Sequence, residues 1–204
     1  MVEKVWVTYN QTHKLCQDAA PRILADFQPN LMVAIGGGGY VPARMLRSFL
    51  KQPGAPNIPI QAIGLSLYEQ LGTDSQIEKP GTKVTRTQWL DLTSLEMENL
   101  IGKNVLIVDE VDDTRTTLEY AVKELQNDVD AAAKAAGRAG ETTKFSIFVL
   151  HNKDKVKKGK LPEELIADNR YVAARTVPDV WICYPWEATD IDEHDRMAQQ
   201  QTIE

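Results

Sequence analysis

The most chemically distinctive stretch of the sequence is a run of acids that directly follows an apolar segment. Val105-Leu106-Ile107-Val108 is typical of a buried strand, and the chain continues as Asp109-Glu110-Val111-Asp112-Asp113. Four carboxylates this close together repel one another unless hydroxyl groups, cations or a metal ion neutralise them. The next four residues carry three hydroxyl groups and one guanidinium, in the order Thr114, Arg115, Thr116, Thr117.

The hydroxyl-rich residues stand at the start of a helix predicted over 116–125. Free backbone N–H groups at a helix N-terminus and the helix dipole both favour an anion. The segment therefore offers acids for hydroxyl groups or Mg²⁺, followed by a cradle for a phosphate, and a sugar phosphate is a ligand that needs both. The alternative interpretation is a solvated acidic turn in front of a capped helix.

A second candidate loop is a run of glycines after the apolar segment Leu31–Ile35. Successive glycines let a backbone wrap closely around an anion. A dinucleotide-binding fingerprint would need glycine at position 41, which is Val41, and a P-loop would need a following Gly-Lys-Ser/Thr. A tight turn required only for packing is the alternative. The run consists of Gly36, Gly37, Gly38 and Gly39.

Length and composition place these motifs in one ordinary globular domain. The chain has 204 residues, 43% hydrophobic and 25% charged, which argues against general disorder, collagen and coiled coil. A net charge of −6 argues against nucleic acid as the main partner. Cys16 and Cys183 form neither a disulfide framework nor a zinc site. Neither a membrane span nor a signal peptide is visible, so no membrane is expected and the cytoplasm is the expected compartment.

Apolar periodicity predicts alternating helices and strands. Helices are predicted over 13–27, 42–50 and 116–125, with an Ala-rich extension over 130–140. Strands are predicted over 31–35, 58–67, 105–108, 145–150 and 171–184, the last with a break at Pro178. Residues 190–204 are predicted to be a helix or a frayed tail. Strands joined by helices of crossover length predict an α/β fold with a doubly wound parallel sheet. Ligands of such sheets bind beyond the carboxyl ends of the strands, where the glycines and the acids lie.

The acidic segment 105–117 resembles the phosphoribosyl pyrophosphate (PRPP) signature of the type I phosphoribosyltransferases. That signature is an apolar strand, two acids, an apolar residue and a spacer, then Asp-Thr-Gly and a closing Thr. The resemblance implies that Asp109 and Glu110, the paired acids, hold the ribose hydroxyls. It also implies that the following loop holds the 5′-phosphate, with Asp113, Thr114, Thr116 and Thr117 in the loop positions.

Arg115 departs from the signature, because the family usually has glycine at this position. Glycine is needed where φ is positive or where a backbone must approach closely. Two alternatives follow: the loop is reshaped, or Arg115 itself contributes to anion binding. The glycine run 36–39 is similar to the family's pyrophosphate loop, although it lacks a basic residue that is often found there.

The segment Thr176–Glu187 resembles the purine hood of the 6-oxopurine branch, closest to fungal and microbial enzymes for hypoxanthine, guanine or xanthine. The resemblance implies that Trp181 stacks on the purine and that the backbone of Ile182 reads the base edge. It also implies that Glu187 binds a metal ion bridging to pyrophosphate. An indole ring is suited to stacking, but a tryptophan in an aromatic strand is, taken alone, more often part of the core.

A lid is expected over 66–86, where the chain is polar and rich in glycine and proline. Ser66-Leu67-Tyr68 resembles the start of the family's flexible catalytic loop, with Leu67 in the place of the usual serine. A closing lid excludes water from a reactive centre. A plain surface connection over 69–83 is the alternative.

The O6 atom of the purine needs a hydrogen-bond donor. In the family a lysine after a strand supplies it, and here the predicted strand 145–150 is followed by His151-Asn152-Lys153. Lys153 is therefore the candidate and His151 the alternate. The basic run 153–160 is equally consistent with a solvated turn.

The resemblance covers nearly the whole chain and implies one domain, with a parallel-sheet core and a small hood from 1–12 and 160–204. The implied reaction transfers the 5-phosphoribosyl group of PRPP to N9 of the purine base, with Mg²⁺, giving pyrophosphate and a purine nucleoside monophosphate. Asp113 is the expected general base near purine N7, and a homodimer is implied. The alternative is a PRPP-sensing regulator that binds nucleic acid, for which 153–160 is the only hint of a basic face.

Overall fold

The chain alternates strands and helices along almost its whole length. The computed structural model describes residues 3–69, 79–90 and 100–201. Its elements are β1 (Lys4–Trp6), α1 (Tyr9–Asp26), β2 (Leu31–Gly36), α2 (Tyr40–Leu50), β3 (Ile60–Glu69), β4 (Lys79–Gln88), β5 (Asn104–Asp112), α3 (Thr116–Ala135), β6 (Lys144–Lys153), α4 (Glu163–Ala167), β7 (Tyr171–Val177), β8 (Trp181–Cys183) and α5 (Ile191–Gln200).

Six strands form the central sheet, in the order β4-β3-β2-β5-β6-β7. All neighbouring pairs are parallel except β3 and β4, which are antiparallel. Because β2 and β5 are adjacent and parallel, the glycines after β2 and the acids at the end of β5 meet at one edge of the sheet. The predicted α/β class with a mostly parallel sheet is confirmed.

Helices cover both faces of this sheet. Alternate residues of one strand face opposite sides, so Leu106 and Val108 pack in a cluster with α1 and α2. Val105 and Ile107 pack on the other side with the buried face of α3. Residues of β5 are therefore apolar on both faces, and this strand is fixed in the middle of the core.

Several predicted boundaries differ from those observed, each for a physical reason. The predicted break at Pro178 is confirmed: 171–184 contains two strands, β7 and β8, on either side of this proline, whose ring nitrogen has no hydrogen to donate to a ladder. The acids predicted in a loop are part of β5, which continues to Asp112 because Asp109 to Asp112 still pair with β6. The helix predicted over 116–125 continues to Ala135, and residues 191–200 are helical.

The predicted lid segment is only partly described. Residues 60–69 and 79–88 are strands β3 and β4, paired with register shifts between Gly64 and Leu65 and between Ser66 and Tyr68, so these parts are not a loop. The backbone of Ser66, Leu67 and Tyr68 belongs to β3, while their side chains and residues 70–78 lie outside the described residues. The role of these residues in a lid stays a prediction.

The two ends of the described chain pair with each other. β1 and β8 form a separate two-stranded parallel sheet, in which Lys4 lies opposite Trp181. The Nε2 atom of His194 in α5 lies 2.9 Å from the carbonyl oxygen of Val7. In this small sheet the strand with Trp181 therefore lies beside β1, near the N-terminus. Among the described residues, no helix is long and apolar enough to cross a membrane.

Candidate active site

Asp109 and Glu110 are neighbouring acids near the end of β5. Asp109 is buried, and its Oδ1 accepts a hydrogen bond from the N–H of Glu110 at 2.9 Å. Burial and the negative charge of Glu110 raise the pKa of Asp109 well above its usual range. The Oε2 atom of Glu110 is also buried, and no described group donates a hydrogen bond to it. The pair is therefore prepared to receive a cation or a donor from outside.

The glycine run lies directly against these acids. A Cβ atom at Gly38 would overlap the carboxyl group of Glu110, and one at Gly39 would overlap the backbone carbonyls of Val108 and Ile35. Only glycine permits this close approach of the loop to β5. At Gly37, by contrast, nothing lies within 4 Å of a Cβ position, so this part of the loop borders open space.

The hydroxyl-rich loop after β5 leads into α3 as predicted. The Oγ1 atoms of Thr114 and Thr116 are 3.0 Å apart, and α3 begins at Thr116. The residue before it, Arg115, makes no capping hydrogen bond with its side chain. The first N–H groups of α3 therefore keep the capacity to bind an anion.

Arg115 keeps the backbone conformation that glycine would favour. Its φ is 69° and its ψ is −2°, which is the left-handed region. Its Nε and Nη2 atoms each lie 2.9 Å from Oδ2 of Asp112, and its Cζ lies 5.0 Å from the centre of the Tyr171 ring. The guanidinium is thus engaged with a carboxylate and an aromatic ring inside the protein.

Asp112 is a central residue that sequence reasoning missed. Its carboxylate is buried and accepts a hydrogen bond from the Tyr171 hydroxyl at 2.7 Å, in addition to those from Arg115. The Nζ of Lys157 lies 3.5 Å from its Oδ1. A run of four acids gives no signal for which member is turned inward, and Tyr171 and Lys157 are 59 and 45 residues away in sequence.

A network of ion pairs joins the phosphate loop to the purine-hood segment. Asp113 lies 2.9 Å from Nζ of Lys155 and 3.5 Å from Nζ of Lys153. The same two lysines pair with Asp179, at 2.9 and 3.7 Å, in the turn before β8. The predicted solvated turn is wrong for these two lysines, because they connect three parts of the site.

His151 and Tyr184 form a buried link between β6 and the acids. His151 Nδ1 lies 2.9 Å from the Tyr184 hydroxyl, which in turn donates to the carbonyl of Glu110 at 3.0 Å. The Tyr184 ring stacks on Trp186, with centroids 4.7 Å apart. Burial and the charge of Arg175 lower the pKa of His151 to about 4, so this imidazole is neutral at pH 7.

The remaining hood residues lie in and after β8. Trp181 is 58% exposed, so its indole is not part of the core, whereas Ile182 is buried. Burial, and after it the negative charge of Glu110, raise the pKa of Glu187. The hood segment therefore brings an exposed aromatic ring and a third carboxylate toward the acidic end of β5.

The donor set at this edge suits a divalent cation that also binds a substrate. Carboxylate oxygens are the ligands that Mg²⁺ prefers, and Glu110 has an oxygen without a partner. Among the described residues, no three histidine, cysteine or acidic side chains converge closely enough to hold a metal ion by themselves. A Mg²⁺ bound here would take further ligands from a substrate, as this ion commonly does.

This arrangement at the carboxyl edge of a mostly parallel sheet is that of a type I phosphoribosyltransferase. No family model matches the chain. It is, however, 56% identical over 202 residues to xanthine phosphoribosyltransferase 1 of Saccharomyces cerevisiae, covering 98% of this chain and 97% of the relative. It is 57% identical over 192 residues to hypoxanthine-guanine phosphoribosyltransferase of Schizosaccharomyces pombe, covering 94% and 93%.

Solved structures agree with these relatives. A hypothetical protein from Neisseria gonorrhoeae with bound ppGpp is 41% identical, with a TM-score of 0.74 over 98% of this chain and 97% of that one. A purine phosphoribosyltransferase from Pyrococcus horikoshii has the same fold, with a TM-score of 0.61 at 23% identity, over 92% and 96%. The chain belongs to the family of hypoxanthine-guanine and xanthine phosphoribosyltransferases.

Replacing Arg115 separates the backbone cost at this position from the side-chain contacts. Arg115→Ala and Arg115→Gly both lose the contacts with Asp112 and Tyr171, but only glycine adopts a φ of 69° without steric cost. We expect the free energy of unfolding of Arg115→Ala to be lower than that of Arg115→Gly by about 1 kcal/mol. Urea unfolding measures this difference, and equal stabilities would contradict the prediction.

Burial of neutral His151 makes the protein sensitive to mild acid. Its folded pKa of about 4 is below the ordinary 6.5, so the unfolded chain takes up a proton that the folded protein excludes as the pH falls between these values. This stabilising contribution is complete above pH 6.5 and is lost below it. We expect a loss of about 2 kcal/mol between pH 7 and pH 5 that is absent from His151→Gln. Urea unfolding at both pH values tests this, and equal losses in the two proteins would refute it.

Proposed function

We propose that the protein makes purine nucleoside monophosphates, by transferring the 5-phosphoribosyl group of PRPP to N9 of hypoxanthine, guanine or xanthine. The observation that carries this proposal is the contact of the glycine loop with Glu110, whose Oε2 has no hydrogen-bond partner among the described residues, shortly before the uncapped start of α3. The exposed Trp181 belongs to the segment whose Tyr184 hydroxyl donates to the carbonyl of Glu110. The relatives support the same base class, since they are named for xanthine, hypoxanthine and guanine.

Three elements are proposed to bind PRPP. Asp109 and Glu110 accept hydrogen bonds from the ribose hydroxyls, and Oε2 of Glu110 has no hydrogen-bond partner among the described residues. The loop 113–117 and the first N–H groups of α3 bind the 5′-phosphate. The glycine loop 36–39 binds the pyrophosphate through its backbone N–H groups, with Gly37 at its open side.

Mg²⁺ is the proposed cofactor, held by Glu187, Asp109 and Glu110. The raised pKa of Glu187, caused by burial and then by the nearby charge of Glu110, supports this set. When bound, the ion would neutralise the negative charge that develops on the departing pyrophosphate. The protein's own carboxylates face the ribose, where positive charge develops in glycosyl transfer.

The purine is proposed to stack on Trp181, whose ring the fold leaves exposed. The backbone of Ile182 reads the base edge. Lys153 is the proposed donor to O6, because its ammonium lies within 3.5 Å of Asp113 and so is held at the same site. His151 is the poorer candidate, since it is 3% exposed and already paired with Tyr184.

Asp113 is proposed as the general base near purine N7. Its carboxylate is partly exposed, at 44% of the side chain, and lies beside Lys153 and Lys155. The two ammonium groups hold the carboxylate in one direction, and a positioned carboxylate can accept a proton as a general base. N9 displaces pyrophosphate at C1′ and inverts that carbon while the base proton passes toward Asp113.

Further expectations accompany this function. We infer a homodimer and a lid that begins at Ser66, Leu67 and Tyr68, both from the family. A cytoplasmic location stays a prediction. The ppGpp bound to the Neisseria gonorrhoeae protein supports binding of a purine nucleotide by this chain. Nothing in the comparisons supports the nucleic-acid-binding regulator, for which the predicted basic face at 153–160 is largely used in internal ion pairs.

The reaction is tested by an absorbance assay with Mg²⁺, PRPP and each of hypoxanthine, guanine, xanthine and adenine. We expect nucleotide from the 6-oxopurines and none from adenine, because adenine carries an amino group where the site offers a donor. EDTA should abolish turnover, and added Mg²⁺ should restore it. If no nucleotide forms from any of the four bases, in a protein that still binds PRPP, the PRPP-sensing regulator would be favoured instead.

Asp113→Asn tests the general base. The amide has nearly the same size but cannot accept the proton, so turnover should fall roughly 10²–10⁴-fold while PRPP binding stays largely intact. Asp179→Asn is the matched control, because Asp179 pairs with the same two lysines. We expect its turnover to change far less. An Asp113→Asn enzyme with unchanged turnover would remove Asp113 from this role.

A further inference from the structure

The ammonium group of Lys157 donates all of its hydrogen bonds to backbone groups of the protein. Its Nζ donates hydrogen bonds to the carbonyl oxygens of Asp112 at 2.7 Å, Asp113 at 3.0 Å and Lys153 at 2.8 Å. An ammonium has three N–H donors, so all of them are used on backbone carbonyls. Its side chain is only 14% exposed, and Asp112 Oδ1 lies 3.5 Å away.

The residues after Lys157 contact the same loop through their backbone. The N–H groups of Lys158 and Gly159 both lie 3.0 Å from the carbonyl oxygen of Thr114. A Cβ atom at Gly159 would lie 2.5 Å from the carbonyl oxygen of Arg115, so only glycine fits there without a shift. Residues 157–159, which we call the backing segment, therefore support the carbonyl side of residues 112–115.

This arrangement distinguishes Lys157 from the rest of the basic run. Lys158 and Lys160 are exposed, as a solvated turn would have them. Lys157 instead fixes one side of a loop whose other groups, the Thr114 and Thr116 hydroxyls and the first amides of α3, are the proposed phosphate ligands. Each peptide unit is planar, so holding a carbonyl also fixes the direction of the N–H on its other side.

We propose that Lys157 is a positioning residue of the phosphate loop, which orients its amide groups and the Asp113 carboxylate by holding the carbonyls of Asp112 and Asp113 against the end of β6. This inference rests on the proposed binding of the 5′-phosphate by residues 113–117. It assigns Lys157 no contact with substrate. Without its ammonium, two loop carbonyls lose a charged donor, and the loop is free to turn its amides away from the phosphate.

The test compares Lys157→Met with Lys160→Met, two variants that remove the same charge and keep a similar unbranched side chain. We expect Lys157→Met to raise the KM for PRPP at least tenfold and to change the KM for the purine by less than about threefold, since only the phosphate side of the site is loosened. Lys160→Met should leave both constants unchanged. Lys157→Arg, which restores a cationic donor, should recover part of the loss.

Calorimetric titration with ribose 5-phosphate gives a readout independent of turnover. Wild-type protein should bind this probe, and Lys157→Met should bind it at least tenfold more weakly. If wild-type protein fails to bind ribose 5-phosphate and makes no nucleotide, the proposed function fails. If wild type binds and Lys157→Met binds equally well, with an unchanged KM for PRPP, the positioning role of Lys157 is overturned even where its thermal stability is reduced.

A second pair of variants covers the case in which Lys157→Met does not fold. Gly159→Ala presses a methyl group on the Arg115 carbonyl from the same backing segment, whereas Gly140→Ala meets nothing within 4 Å. We expect Gly159→Ala to raise the KM for PRPP severalfold and Gly140→Ala to leave it unchanged. An unchanged KM in folded Gly159→Ala would show that the backing segment does not set the loop.

Discussion

Placement of four acids at the end of one central strand is the constraint on which the rest of this site depends. Carboxylates this close cannot all stay ionised in a partly buried place without partners. The four carboxylates do not all receive partners within the protein. Asp112 and Asp113 form ion pairs with Arg115, Lys155 and other cations of the chain, whereas Oε2 of Glu110 has no hydrogen-bond partner among the described residues. The internal pairs thus fix the loop, and this oxygen of Glu110 defines where a ligand is needed.

The sheet topology makes this division possible. Parallel strands β2, β5 and β6 end at the same edge, so a glycine loop, an acidic strand end and a lysine-bearing strand end arrive together from distant parts of the sequence. The N- and C-terminal strands β1 and β8 then add Trp181. Each functional group lies on or next to a strand that core packing holds in place. The position of each group therefore varies little, as a reactive geometry requires.

Local patterns were enough to predict most of the strands and helices and to place the glycine run and the acid run after two of the strands. Apolar runs such as 31–35 and 105–108 indicate buried strands, and a glycine run or an acid run directly after such a strand points to ligand binding. The inward turn of Asp112 and the three carbonyl bonds of Lys157 could not be predicted, because both depend on partners tens of residues away. The split at Pro178 was signalled in the sequence, but the ladder partners of β8 were not.

Arg115 shows how such long-range contacts change what a local rule predicts. A left-handed backbone costs an ordinary residue about 1–2 kcal/mol, which explains why glycine is usual at this position. A hydrogen bond to a charged group contributes roughly 1.5–3 kcal/mol, and a cation over an aromatic face about 0.5–2 kcal/mol. Contacts of Arg115 with Asp112 and Tyr171 are therefore large enough to offset the backbone cost. The loop thus keeps the backbone conformation that glycine would adopt. In addition, Arg115 forms an ion pair with the buried Asp112, which glycine could not form.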